Sequence, residues 1–294
     1  MSKKVNYPYG LSLTLACSGI IVFSYLAFLG LVFHYKGAML KPILLSAVGL
    51  AILIKCLITM CKSKSERQWR RGLPKEIGVS LLALCILGLG SVPVSRFLSV
   101  WEKEMAVKNA THETISSIVA MPAAYGTYVD ERIKSYKAKL SDLKENSKEY
   151  NQVVKGAGGQ SKKEKVNYIC SSLRRRIYPT GLDSLFQKRN EWLISLPPFN
   201  PWNIYAARNI RIIGETGTDW GEKLVKLSST FYLAEDAEPF SHLQLSNKLQ
   251  SFENEYTRYC PPSYKGVLAL IFCFFLILLP YLIIRRPTTG YSGS

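Results

Sequence analysis

Four stretches of the chain are apolar over lengths that suit a bilayer, and the segments between them follow a different pattern. Residues 11–33 contain no charged side chain, and at about 1.5 Å of rise per residue they are long enough to cross a hydrocarbon core of about 30 Å. The run goes on to His34 without a small-residue cleavage site, so it is expected to remain as a span rather than to be removed as a leader. Residues 42–61 are apolar except for Lys55, seven positions before Lys62, whose aliphatic stem can carry its ammonium group along the helix to the interface. Residues 77–94 include Gly88, Gly90 and Pro93, which suit close helix contact or a bend. Residues 267–284 include Pro280. No acidic residue falls in any of the four runs.

Between the third and fourth runs the periodicity changes. Tyr125, Tyr128, Val129, Ile133, Tyr136, Leu140, Leu143 and Tyr150 recur at steps of mostly three and four, with Asp130, Glu131, Lys134, Lys137 and Lys139 on other faces. This predicts an amphipathic helix lying on a core. A preceding helix over 101–119 is expected to end before Pro122. The Gly-rich residues 155–161 read as an exposed loop. Shorter helices are predicted over 166–178, 182–196, 219–233 and 241–259, with Asp219 capping the third of these. No sustained strand alternation is visible, and residues 210–213 alone have the composition of a short strand. The whole pattern predicts an α-helical integral membrane protein with four transmembrane helices and a predominantly α-helical outer domain between the third and fourth. Its parts are an N-terminal membrane region over 1–95 with spans at 11–33, 42–61 and 77–94, an outer domain over 96–264, and a fourth span at 267–284 followed by a short tail, within 265–294.

Charge supplies a direction. Of 21 acidic residues, 19 lie between positions 101 and 263 alongside 23 Lys and Arg, so the remainder of the chain is basic and almost free of acids. Lys and Arg in short connections are retained on the cytoplasmic side, whereas long domains cross with little regard to charge. Lys3 and Lys4, the loop carrying Lys62, Lys64, Arg67, Arg70, Arg71 and Lys75, and the pair Arg285 and Arg286 all fall on one side of a four-span chain. Both termini are therefore expected in the cytoplasm, and the long domain in the periplasm or outside the cell. The basic loop is expected to face anionic lipid, which explains its charge without nucleic acid. One short and one long outer loop is also the layout of tetraspanins, but their Cys-Cys-Gly signature is absent.

Little in the sequence points to chemistry. Cys17, Cys56, Cys61, Cys85 and Cys273 lie in or at the ends of spans, where Cys acts as a small hydrophobe. Cys170 and Cys260 are the two in the outer domain and are candidates for a disulfide. The three histidines lack metal-ligand spacing, and no metal or cofactor is expected. The Gly-rich residues 214–223 have no Ser or Thr after Lys223 and do not make a phosphate loop. Residues 196–205 are too rich in proline for regular structure and too aromatic for a solvated loop. They are read as a rigid connector packed on the core or at headgroup level, with Phe199, Trp202 and Tyr205 as a candidate partner surface.

These features favour a membrane-anchored sensor, receptor or scaffold, not an enzyme. Its outer domain recognises a ligand, envelope component or partner protein and relays through a separate cytoplasmic protein, because the inner segments are too short to hold an output domain. Expected partners are membrane lipids and protein on one or both sides, in a homo- or hetero-oligomer. The expected site is the plasma membrane, with a bacterial inner membrane preferred because only two cysteines are exported. The alternative is an oligomeric channel or transporter subunit, suggested by Lys55 and the bend-prone third span.

Overall fold

A computed structural model describes residues 7–65, 69–145, 147–241, 243–257, 261 and 264–284. Among these residues the only regular elements are helices: α1 (Tyr7–His34), α2 (Leu40–Ser65), α3 (Trp69–Glu102), α4 (Glu104–Asp142), α5 (Lys148–Val153), α6 (Lys162–Ile177), α7 (Leu182–Ile194), α8 (Ala206–Ser228), α9 (Leu243–Thr257) and α10 (Tyr264–Ile283). Four of them contain segments long and apolar enough to cross a membrane: Leu11–His34, Leu40–Lys64, Leu73–Glu102 and Gly266–Ile283. The chain divides into two compact units. One comprises Met1–Ala106, Phe199–Asn209 and Thr257–Ser294; the other comprises Val107–Pro198 and Ile210–Tyr256.

In the first unit α1 packs against α2, α3 and α10. Half of its most apolar window is buried, against 17% to 22% in the other three, so α1 is the core of this unit and the others turn more of their surface outward. Glycine makes the close approaches. A Cβ built on Gly30 would stand 1.8 Å from the Pro93 carbonyl oxygen, and one on Gly90 would stand 2.8 Å from the Phe23 ring. Small residues at helix contacts are what a bilayer favours, because between lipid-solvated helices the gain comes from packing rather than from expulsion of water. Of the residues expected to serve this purpose, Gly90 and Pro93 lie at contacts, whereas a Cβ on Gly88 would meet nothing within 4 Å. The helix runs on through Pro93 to Glu102. At the other end of the unit α3 starts before the apolar run does, so Glu76 lies inside the helix and is buried. The Tyr281 hydroxyl donates to Glu76, while Lys64 donates to the Tyr281 carbonyl and holds its ammonium 4.2 Å from that ring. This joins α2, α3 and α10 through a satisfied polar cluster.

The second unit is built on α4. Its buried positions from Val107 through Thr111, Thr114, Ile118, Met121, Tyr125, Val129, Arg132, Tyr136 and Leu140 keep steps of three and four throughout. Against this stripe pack Val166, Ile169, Cys170, Leu173 and Ile177 of α6, Phe186 and Leu193 of α7, and Ile213, Trp220 and Leu224 of α8. Pro122 does not break the helix as expected but lies within it. The carbonyl four residues earlier loses one backbone partner, and burial of Ile118, Met121 and Tyr125 on either side outweighs that loss. Residues 210–213 are helical rather than extended, and Asp219 lies inside α8 rather than at its start. Two helix starts use local side-chain caps. Ser161 and Glu164 form a reciprocal capping box on α6, and the backbone N–H groups of Gln160 and Ser161 hold the Glu164 carboxyl below its usual range. Ser147 caps α5. The predicted loop at 155–161 is non-helical up to Ser161, with Gly156 and Gly159 at φ of +87° and +126°.

Candidate recognition surfaces

The aromatic, proline-rich segment belongs to the first unit, whose helices it rejoins in the middle of the long inter-span sequence. Phe199 is 7% exposed and tilts against Phe33 of α1 at 6.5 Å between ring centroids. Trp202 meets Phe97 of α3 edge-on at 4.8 Å and Trp101 at 6.1 Å, and its backbone carbonyl accepts from the Tyr25 hydroxyl at 3.4 Å. Of the three residues proposed as a partner surface, Phe199 is therefore packed inward, while Trp202 and Tyr205 remain 44% and 51% exposed.

Without regular structure, this segment must satisfy its backbone in another way, and its two asparagines do so. Asn200 Oδ1 accepts from the Trp202 N–H and Asn203 Oδ1 from the Tyr205 N–H, each at 2.9 Å. Backbone bonds from Asn203 to Asn200 and from Ala206 to Asn203 complete two successive turns. Beside them, Gly37 has φ +84°, and a Cβ there would lie 2.6 Å from the Arg208 backbone. Only glycine meets both conditions at that position.

The second unit has a site that the sequence reading missed. Residues 229–241 leave α8 as a non-helical strap held along α4 by a column of side chains one helical turn apart. The Tyr128 hydroxyl donates to the Glu238 carbonyl at 2.7 Å and the Tyr136 hydroxyl to the Leu233 carbonyl at 2.8 Å. Between them Arg132 donates to the Ser228 and Thr230 carbonyls, both at 2.6 Å, and pairs with Glu235 at 2.5 Å. The side chains of that pair are 1% and 2% exposed. Burial alone would favour the neutral guanidinium, but the Glu235 carboxylate more than offsets it and the Arg132 pKa rises. Ser228 ends α8, so the buried cation also satisfies an otherwise unpaired helix-end carbonyl. Arg132 lies on the apolar stripe, and that placement was the one trace of the site in the sequence.

Burial raises the pKa of Tyr125 and Tyr136, and burial together with the Asp183 hydrogen bond pushes Tyr178 up to about 12. Cys170 carries a free, buried thiol whose pKa burial also raises. Its candidate partner Cys260 lies outside the described residues. In the basic loop Lys62 and Lys75 are exposed and Lys64 is half-buried against Tyr281. Arg70 and Arg71 fall in the first turn of α3, and Arg67 lies outside the described residues. Lys55 is exposed on α2. Among the described residues no group of His, Cys, Asp and Glu is arranged to hold a metal ion. Several large apolar side chains of the second unit are exposed: Leu185 and Trp192 on one face of α7, Ile194 at its end, and Phe231 and Leu233 on the strap. Comparison with known families, curated proteins and solved structures finds no match to this chain.

Proposed function

We propose that the chain is a membrane-anchored sensor, receptor or scaffold of the plasma membrane, a bacterial inner membrane by preference. The termini and the basic loop face the cytoplasm, and the second unit lies on the opposite side, where it docks a partner. The observation that carries this reading is the surface of the second unit. That unit buries a continuous core of its own yet leaves Leu185, Trp192, Phe231 and Leu233 exposed. Exposed apolar side chains of the four long helices are accounted for by lipid; on the second unit, Leu185 with Trp192 on one face of α7 and Phe231 with Leu233 on the strap are the apolar positions that a partner would cover. In this reading the unit relays inward through a separate cytoplasmic protein.

The channel alternative draws less support from the packing. The interior helix of the membrane unit is uncharged over residues 11–33 and packed with Ile20, Phe23, Ala27 and Leu29, while Lys55 faces outward from α2.

The test has two arms. In intact cells, a cysteine at position 158 reacts with an impermeant thiol reagent and one at position 68 does not; the reverse pattern refutes the orientation. Photoreactive side chains at positions 185, 192 and 231 crosslink one protein recovered in stoichiometric amount from native membranes. Recovery of a symmetric ring of this chain alone would instead favour the channel.

A further inference from the structure

The membrane unit carries a second candidate surface, independent of the partner-docking reading. The connector formed by residues 199–209 does not simply pass over the helix ends. Its Trp202 carbonyl accepts from the hydroxyl of Tyr25, whose backbone lies nine positions before His34, about 13 Å back along α1. The Trp202 ring meets Phe97, within the apolar segment of α3. The connector therefore descends beside the spans. Irregular backbone is tolerated at such a level only where its polar groups are satisfied internally, and the paired asparagine turns supply that.

The side chains it leaves outward are those of a bilayer interface. Trp101, Trp202 and Tyr205 are exposed, as are Lys36, Lys41 and Arg208. Gly37 brings the α1–α2 turn against the Arg208 backbone, so Lys36, its chain neighbour, and Arg208 flank one contact between two distant parts of the sequence. Lys41 also stands over the Tyr35 ring, 5.6 Å from its centroid. Neither residues 34–41 nor residues 199–209 include an acid. Aromatic rings with a polar edge settle at headgroup level, and Lys and Arg there draw anionic headgroups.

We propose that the connector 199–209 and the α1–α2 turn form a re-entrant interfacial platform that holds the phosphate of an anionic phospholipid headgroup at Lys36, Lys41 and Arg208. Trp101, Trp202 and Tyr205 set its depth in the leaflet. The connector is in this way anchored by lipid as well as by the helices.

Full-length protein bearing Tyr205→p-benzoylphenylalanine, reconstituted in nanodiscs of phosphatidylcholine and phosphatidylglycerol at about three to one, tests this by mass spectrometry of the photoadducts. The expected result is lipid adducts enriched in phosphatidylglycerol over its share of the bilayer, on the order of fivefold. The combined variant Lys36→Gln, Lys41→Gln, Arg208→Gln should still crosslink lipid, but in the proportions of the bilayer. As a second measurement that does not depend on the folding of that variant, the unsubstituted cationic set is read at rising salt, where the enrichment should fall. Adducts only to protein or water, adducts in bilayer proportion with the cations intact, or enrichment that survives both the triple variant and high salt would each overturn the proposal.

Discussion

Replacing Gly30 by alanine tests whether the membrane unit rests on one close backbone approach. The added methyl would sit 1.8 Å from the Pro93 carbonyl oxygen, 2.5 Å from its carbonyl carbon and 3.1 Å from its Cα. Contacts under 3.0 Å are essentially never observed for a real Cβ, so α1 and α3 must part by about 1.2 Å or rotate. The obstacle is backbone and cannot change rotamer. Overpacking of this kind costs roughly 1–3 kcal/mol, and the rigid obstacle places Gly30→Ala toward the upper end. Since about 1 kcal/mol moves the midpoint of a chain this size by roughly 2–4 °C, the melt in mild detergent should drop by roughly 5–10 °C. Two neighbours calibrate the result. Gly90→Ala meets the Phe23 ring edge at 2.8 Å, a side chain that can yield, so its loss should be smaller. Gly88→Ala meets nothing within 4 Å and should be neutral or slightly stabilising, because alanine is the better helix former. A Gly30→Ala melt within 1 °C of the parent, or a drop as large in Gly88→Ala, would refute the reasoning.

Two predictions concern the second unit. Arg132→Met strands the buried Glu235 carboxylate and frees the Ser228 and Thr230 carbonyls, so it should cost about 3–5 kcal/mol and open residues 229–241 to limited proteolysis. Adding Glu235→Gln should recover part of the loss, and a cost under about 1 kcal/mol for the single variant would show that the pair is dispensable. The second prediction is an alkaline decline. Tyr125, Tyr136 and Tyr178 hold their protons above the ordinary value in the folded state. Above a pH of about 10 the unfolded chain therefore binds fewer protons than the folded one, and stability falls as pH rises through the folded values. Thermal melts between pH 8 and 11.5 should show this fall, and Tyr178→Phe should make it shallower; a flat profile would contradict the assignment.

The four long helices were legible because a span declares itself locally: a run of apolar residues must match a fixed thickness, and neighbours along the chain suffice to show it. The amphipathic face of α4 was legible for the same reason, with Tyr125, Val129, Tyr136 and Leu140 buried as the spacing required. The errors came where distant contacts decided. Gly214 and Gly217 have the composition of a turn before a helix, yet they lie inside α8, and Gly217 brings Ile118 and Leu249 to 3.1 Å from where its Cβ would be. There the absent side chain serves packing between helices rather than chain reversal. Residues 210–213, rich in isoleucine, have the composition of a strand, but their apolar side chains fit the period of a helix laid on the core. The strap at 229–241 was invisible because it is held by side chains about a hundred positions earlier, from Tyr128 to Lys139. No local rule pairs a tyrosine hydroxyl with a carbonyl at that distance. What did survive in the sequence was an anomaly: Arg132 occupies a position that the spacing of Tyr125, Val129 and Tyr136 reserves for an apolar residue. A charge on a buried stripe requires a partner of opposite sign with further acceptors beside it. Such a charge therefore marks the point where a segment from elsewhere in the chain must return to the core.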